Sequence, residues 1–179
     1  MGARIKAILF DLGDVIMKEA TEVKDHNDVT LTAELVPGAK ETLVELRERG
    51  YRLALVADTK VGTYQNVLKQ HGLFDLFETF AISEEVGCLK PDPRIFKTAL
   101  TSLNISEKNY NAVIMVGNNL ERDINGANRL GLISVWSNWN RQARYRSKPA
   151  EADQFPDYTI GTLPGLLEII EPIERGLIN

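Results

Sequence analysis

Asp11 stands at the end of a four-residue apolar run, Ala7-Ile8-Leu9-Phe10, with Gly13 two positions beyond it. Three later stretches end in the same manner. Tyr51–Ala57 stops at Asp58-Thr59, the short run Phe80–Ser83 leads to Lys90, and Ala112–Val116 stops at Gly117-Asn118-Asn119 with Asp123 following. If these runs are strands of one parallel sheet, their carboxyl ends share an edge, and open α/β sheets bind ligands there. An aspartate, a lysine and an Asn/Asp pair gathered at one edge suit phosphoryl transfer. A carboxylate can attack phosphorus and form an aspartyl-phosphate. An ammonium can screen the charge between nucleophile and phosphate, while carboxylate and carbonyl oxygens can hold a hard Mg²⁺ ion.

The intervening segments read as the helices such an arrangement needs. Pro37-Gly38 opens a helix with Ala39, Leu43 and Leu46 on its buried side, ending at Gly50, where glycine tolerates the left-handed turn that stops a helix. A second helix runs through Val67 and Leu68 to Gly72, and a third over Arg94–Leu103 carries Ile95, Phe96, Ala99 and Leu100 at helical spacing. A fourth spans about Glu121–Arg129, closed by Gly131. Ile133–Trp136 and Tyr158–Ile160 complete the strands, and Leu163–Ile170 is a closing amphipathic helix. Strictly alternating strands and helices predict a doubly wound, Rossmann-like α/β fold: one mostly parallel sheet, helices on both faces, and a single domain over residues 1–179.

Composition narrows the classes. A chain of 179 residues with 44% hydrophobic and 26% charged residues can bury one core as an ordinary globular domain. A net charge of −4 argues against nucleic acid as a partner, since phosphate backbones call for a basic footprint. No apolar run approaches a membrane span, and Asp11 and Asp14 interrupt any signal-peptide core. Lys6 stands where a myristoylation signal would carry its hydroxyl. Cys88 is the only cysteine, so an internal disulfide is excluded and a reducing cytoplasm is the expected compartment. His26 and His71 are far from the strand ends, which leaves a Cys-His pair without support.

Four motifs in order resemble those of the haloacid dehalogenase (HAD) superfamily, mostly Mg²⁺-dependent phosphatases. Phe10-Asp11-Leu12-Gly13-Asp14-Val15 is similar to the first, with Asp11 as nucleophile, and Leu53–Asp58 to the strand of the second. Lys90-Pro91-Asp92-Pro93-Arg94-Ile95-Phe96 resembles the third, with Lys90 as the motif lysine, and Gly117–Asn128 the acidic fourth. The resemblance implies catalytic roles for Asp11 and Lys90. It also implies a Mg²⁺ site of Asp11, the Gly13 carbonyl, Asn118 and Asp123, with Thr59 and Asn119 as candidate substrate contacts.

Departures from the pattern bear on activity. The family's second aspartate, the general acid and base, is replaced by Gly13, its motif-two Ser/Thr by Ala57, and the first metal acid of motif four by Asn118. Asp14 is one step along, where an extended chain points a side chain to the opposite face, so it could serve as the acid only if the turn redirects it and otherwise reads as a solvated or structural acid. Thr59 is expected to cap the following helix. Asp58 would be unfavourable beside a phosphate unless paired. Lost acid–base help costs about 10²–10⁴-fold, against rate enhancements reaching about 10²¹ for phosphate-ester hydrolysis, so a slow hydrolase is expected rather than a dead one.

The stretch from Asp11 to Ala57 is too short for a sizeable helical cap, and that from Thr59 to Lys90 is already filled by a helix and a strand. A capless core follows, open to a small phosphate ester or a phosphorylated macromolecule. Lys18–Thr32 reads as a hairpin or flap over the site. The loop 138–153, with Arg141, Arg144, Arg146 and Lys148, is a basic rim or simply solvated. Trp136, Trp139 and Tyr145 pack that loop down or form a homo-oligomer contact, packing being the simpler reading. Gly13 and Ala57 also admit a catalytically silent protein that binds a phosphorylated ligand or a protein partner. Dehalogenation through an aspartyl ester would resemble capped relatives instead. A dinucleotide-binding domain would need a Gly-x-Gly-x-x-Gly turn after the first strand, and none follows Phe10.

Overall fold

The apolar runs do form strands, and in the computed structural model, which describes residues 5–139 and 148–176, six of them make one sheet. In chain order β1 is Ala7–Phe10, followed by a small hairpin of β2 (Val23–Lys24) and β3 (Thr30–Thr32). Helix α1 (Ala39–Glu48) leads to β4 (Leu53–Ala57), α2 (Val61–Gln70), β5 (Thr79–Ile82) and the one-turn α3 (Ser83–Val86). Then come α4 (Pro93–Ser102), β6 (Val113–Gly117), a π-helical turn over Leu120–Ile124 and α5 (Asn125–Leu130). β7 (Ile133–Ser137), β8 (Tyr158–Ile160) and α6 (Gly165–Gly176) complete the chain.

The order across the sheet is β5-β4-β1-β6-β7-β8, every pair parallel. After β1 the chain moves to one side through β4 and β5, then returns to add β6, β7 and β8 on the other. The reversal puts a topological switch point between β1 and β6, and loops leaving neighbouring strands in opposite directions open a crevice there. Alternation along β1 shows why this strand is apolar throughout. Ile8 and Phe10 join Leu43 and Leu46 of α1, Val67 and Leu68 of α2, and Leu166 and Ile170 of α6. Ala7 and Leu9 face the other way, onto Ile95, Phe96, Ala99 and Leu100 of α4 and Ala127 of α5. With helices on both faces, the central strand β1 has no position left for a polar side chain.

The segment between β1 and α1 holds only the hairpin and a 3₁₀ turn at Glu19–Thr21. The hairpin lies on α2, and the contact is close: a Cβ on Gly62 would come within 2.7 Å of Val29.

Several expected boundaries move. The helix expected over Leu163–Ile170 starts two residues later and runs on, α6 beginning at Gly165 and continuing through Pro172 to Gly176. The helix expected over Glu121–Arg129 is two pieces, the wide turn at Leu120–Ile124 preceding α5. α3 has no counterpart in the sequence reading, since four residues carry no helical period. Arg141, Arg144, Tyr145 and Arg146 lie outside the described residues.

Candidate active site

Asp11 follows β1 directly, and its N–H donates to Val116 O at 3.0 Å, so the residue stays tied to β6 while its side chain leaves the sheet edge. Lys90 arrives from the turn between α3 and α4 and is buried, at 3% exposure. An ammonium has three protons to place, and three acceptors surround this one. Nζ lies 2.8 Å from Asp11 Oδ1, 2.7 Å from Asp123 Oδ1 and 2.9 Å from Val56 O. Burial disfavours the charge, but the carboxylates of Asp11, Asp123 and Asp58 outweigh it and hold Lys90 above its ordinary value. The lysine is therefore a fixed cation.

Asp123 is wholly buried. The π turn aims it: Asn119 Oδ1 accepts from the N–H groups of Glu121 at 3.0 Å and Arg122 at 3.2 Å, and the Asn119 N–H donates to Asp123 Oδ2 at 3.0 Å. Burial first, and then the nearby Asp11 carboxylate, push the Asp123 carboxyl up to about 7 against the opposing pull of Lys90.

Asp58 has the pairing that its position requires. Its Oδ1 accepts from the Lys90 N–H at 2.9 Å, and its Oδ2 meets Arg122 Nη1 at 3.2 Å. Thr59 is not the helix cap. α2 starts after Lys60 without a side-chain cap from its own segment, and Glu84 Oε2, reaching over from α3, accepts the Val61 N–H at 2.7 Å. Asp14 is a structural acid but not a solvated one. It is buried, sits at φ 49°, and takes the Glu19 N–H on Oδ1 at 3.0 Å.

The structure brings the expected site residues together. Asp11, Gly13, Thr59, Lys90, Asn118, Asn119 and Asp123 all line one cavity of about 80 Å³ at the switch point, with Ala57. Asn119 has its side-chain oxygen engaged in the turn, which leaves the amide nitrogen as the part that can face a ligand. Trp136 Nε1 donates to Asn118 O at 3.0 Å and Trp139 Nε1 to Asp14 O, so both tryptophans pack inward. Leu12 and Asp58 also line the cavity, and so do Glu19 and Arg122. Neither of these last two was read from the sequence as part of the site. Arg122 lies inside the fourth motif and could have been found as the partner Asp58 needed; Glu19 left no local signal. A groove of about 860 Å³ adjoins the cavity and shares Glu19, Asp58 and Thr59 with it.

The donor set suits a hard cation. Among the described residues no three His, Cys, Asp or Glu side chains cluster as a metal cage, but Mg²⁺ is commonly held by one or two carboxylates completed by water and phosphate oxygens. Asp11 and Asp123 supply two carboxylates, and Asn118 and the Gly13 carbonyl offer neutral oxygens on the same cavity.

Comparison with known proteins places the family and the fold. Residues 18–131 match the family described as haloacid dehalogenase-like hydrolase. Glyceraldehyde 3-phosphate phosphatase of Pyrococcus furiosus is 35% identical over 82% of this chain and 58% of its own length. Phosphoserine phosphatase of Thermus thermophilus is 35% identical over 72% of this chain and 48% of its own. The chain thus spans about half the length of these curated relatives. A HAD phosphatase structure from Thermococcus onnurineus superposes with a TM-score of 0.74 at 22% identity, covering 92% of this chain and 97% of that one, a likeness of fold. Among the described residues no helix is long and apolar enough to cross a membrane.

Proposed function

The chain belongs to the haloacid dehalogenase-like hydrolases, and from that premise we propose that it is a capless, Mg²⁺-dependent phosphatase working through an aspartyl-phosphate on Asp11. The observation that carries the reading is the Lys90 ammonium held between Asp11 and Asp123 in a cavity at the switch point. That arrangement stores positive charge where a phosphoryl group must sit beside a carboxylate nucleophile, and such fixed charge is the main resource of phosphoryl-transfer sites.

In this reading the Asp11 carboxylate attacks phosphorus and Lys90 offsets the negative charge that nucleophile and phosphoryl oxygens bring together. Asp11, Asp123, Asn118 and the Gly13 carbonyl would hold Mg²⁺, which when bound neutralises charge on the transferring group. Arg122 keeps Asp58 from repelling the incoming phosphate. Thr59 and Asn119, both on the lining of the cavity, are the contacts for the phosphoryl group. The adjoining groove takes the leaving group, so the substrate is a small-molecule phosphate ester. The relatives' names, glyceraldehyde 3-phosphate and phosphoserine phosphatases, support that class. The cytoplasm is the compartment that a chain with one cysteine fits.

The test is a panel of phosphate esters with and without Mg²⁺, beside an Asp11→Asn control. Metal-dependent turnover that disappears in the variant supports the mechanism. Equal, negligible rates on every ester sink it, and favour the second reading that Gly13 and Ala57 admit, a catalytically silent protein binding a phosphorylated ligand.

A further inference from the structure

Gly13 stands where the first motif would carry its acid, and the space that side chain would fill is taken. A Cβ built on Gly13 would lie 2.1 Å from Glu19 Oε1, 2.8 Å from its Cδ and 3.0 Å from its Cγ. All three atoms crowd the position, so the Glu19 side chain lies across the space an acid at residue 13 would fill, with a carboxylate oxygen nearest. We infer that Glu19 is the general acid and base of this site, in place of an acid at residue 13, an inference that rests on the phosphatase reading above.

The backbone around Glu19 is built to deliver it there. Asp14, in the left-handed region, turns the chain back so that its own N–H donates to Met17 O at 2.7 Å. Its carboxylate accepts the Glu19 N–H at 3.0 Å at the start of the 3₁₀ turn. The far end of that turn is pinned by Thr21, whose hydroxyl donates to Lys18 O at 2.8 Å and accepts from the Glu34 N–H at 2.8 Å. Glu19 is half-buried and turned inward, toward a site already holding Asp11 and Asp123.

Position fits the role. Glu19 lines both the small cavity and the larger groove. With the phosphoryl group in the one and the leaving group in the other, the oxygen that bridges them lies at their junction. In the first step Asp11 bonds to phosphorus, the bond from phosphorus to the ester oxygen breaks, and that oxygen takes the proton of the Glu19 carboxyl. In the second, the Glu19 carboxylate takes a proton from water as the water oxygen bonds to phosphorus. The Asp11–phosphorus bond breaks, inorganic phosphate leaves, and Glu19 is again protonated.

The experiment compares wild type, Asp11→Asn and the isosteric Glu19→Gln with Mg²⁺ on p-nitrophenyl phosphate, whose leaving group needs no proton, and on an alkyl phosphate, whose leaving group does. Glu19→Gln is expected to release about one equivalent of nitrophenolate and then stall, with the phosphoryl group retained on the protein by mass spectrometry. Its steady rate on the alkyl phosphate should fall by about 10²–10⁴-fold. Moving the acid back, by Gly13→Asp with Glu19→Ala, should recover most of the rate that Glu19→Ala alone loses, which a merely structural Glu19 would not allow. A Glu19→Gln variant with wild-type rates and no retained phosphoryl group overturns the role of Glu19 while the phosphatase reading stands. If wild type is as inert as Asp11→Asn on both esters, the phosphatase reading falls and this inference falls with it.

Discussion

The Asp123 side chain passes directly over Gly117: a Cβ at residue 117 would lie 2.2 Å from that of Asp123 and 2.3 Å from its carboxyl carbon. The last residue of β6 must therefore lack a side chain for the acid of the π turn to reach Lys90. Gly117→Ala should destabilise the fold by about 1–3 kcal/mol, as overpacked interiors do, and displace Asp123 from the cavity. Urea unfolding with Mg²⁺-dependent turnover checks both, and a variant unchanged in either would contradict the close approach.

Lys90 compensates two carboxylates, one of them fully buried. Lys90→Met should abolish ester hydrolysis and cost on the order of 3–5 kcal/mol, the usual consequence of leaving a buried charge without its partner. Lys90→Arg should not rescue it, because a planar guanidinium cannot place its protons on three acceptors around a point. Unfolding midpoints near the wild-type value for Lys90→Met would show that the triad is not formed in solution.

Asp58 and Arg122 make a separable pair at the rim of the cavity. Arg122→Ala leaves the Asp58 carboxylate turned toward an incoming phosphate and should raise KM more than it lowers kcat. Adding Asp58→Asn to that variant should restore KM. An unchanged KM in Arg122→Ala would separate this pair from ligand binding.

Protonation of Asp123 makes metal-free stability depend on pH. Its carboxyl titrates near 7 in the folded chain, against 3.8 for an ordinary aspartate, so between about pH 4 and 7 the folded state keeps a proton that the unfolded state has released. The stabilisation is complete below about pH 4 and is lost as pH rises to 7. Measured in EDTA, wild type should lose stability across that window relative to Asp123→Asn, which carries no such proton. A constant gap between the two proteins would contradict the raised value.

Much of this site was legible before any coordinates. Unbroken apolar runs such as Ile8–Phe10 and Leu53–Val56 encode buried parallel strands by composition alone, and a polar residue just past each run marks its end. Asp11, Lys90, Asn118 and Asp123 were found in this way, and parallel pairing does bring them to one edge. Thr59 shows the limit of the method. A hydroxyl just before a helix is a sound local cue for a cap, yet the cap came from Glu84, some twenty residues away in sequence and on another element.

What the sequence by itself determined is therefore the order of the elements, the sheet's two buried faces, and which four side chains share its carboxyl edge. Those properties depend on period and position, which are local. What only the tertiary structure decided is how irregular segments turn back on the site: Arg122 onto Asp58, Asn119 onto its own turn, and Glu19 onto Gly13. The last depends on a single residue, Asp14, adopting a left-handed conformation and holding the Glu19 N–H. No spacing rule describes such a turn, because the contact it creates runs through space between residues that share neither a helix nor a strand.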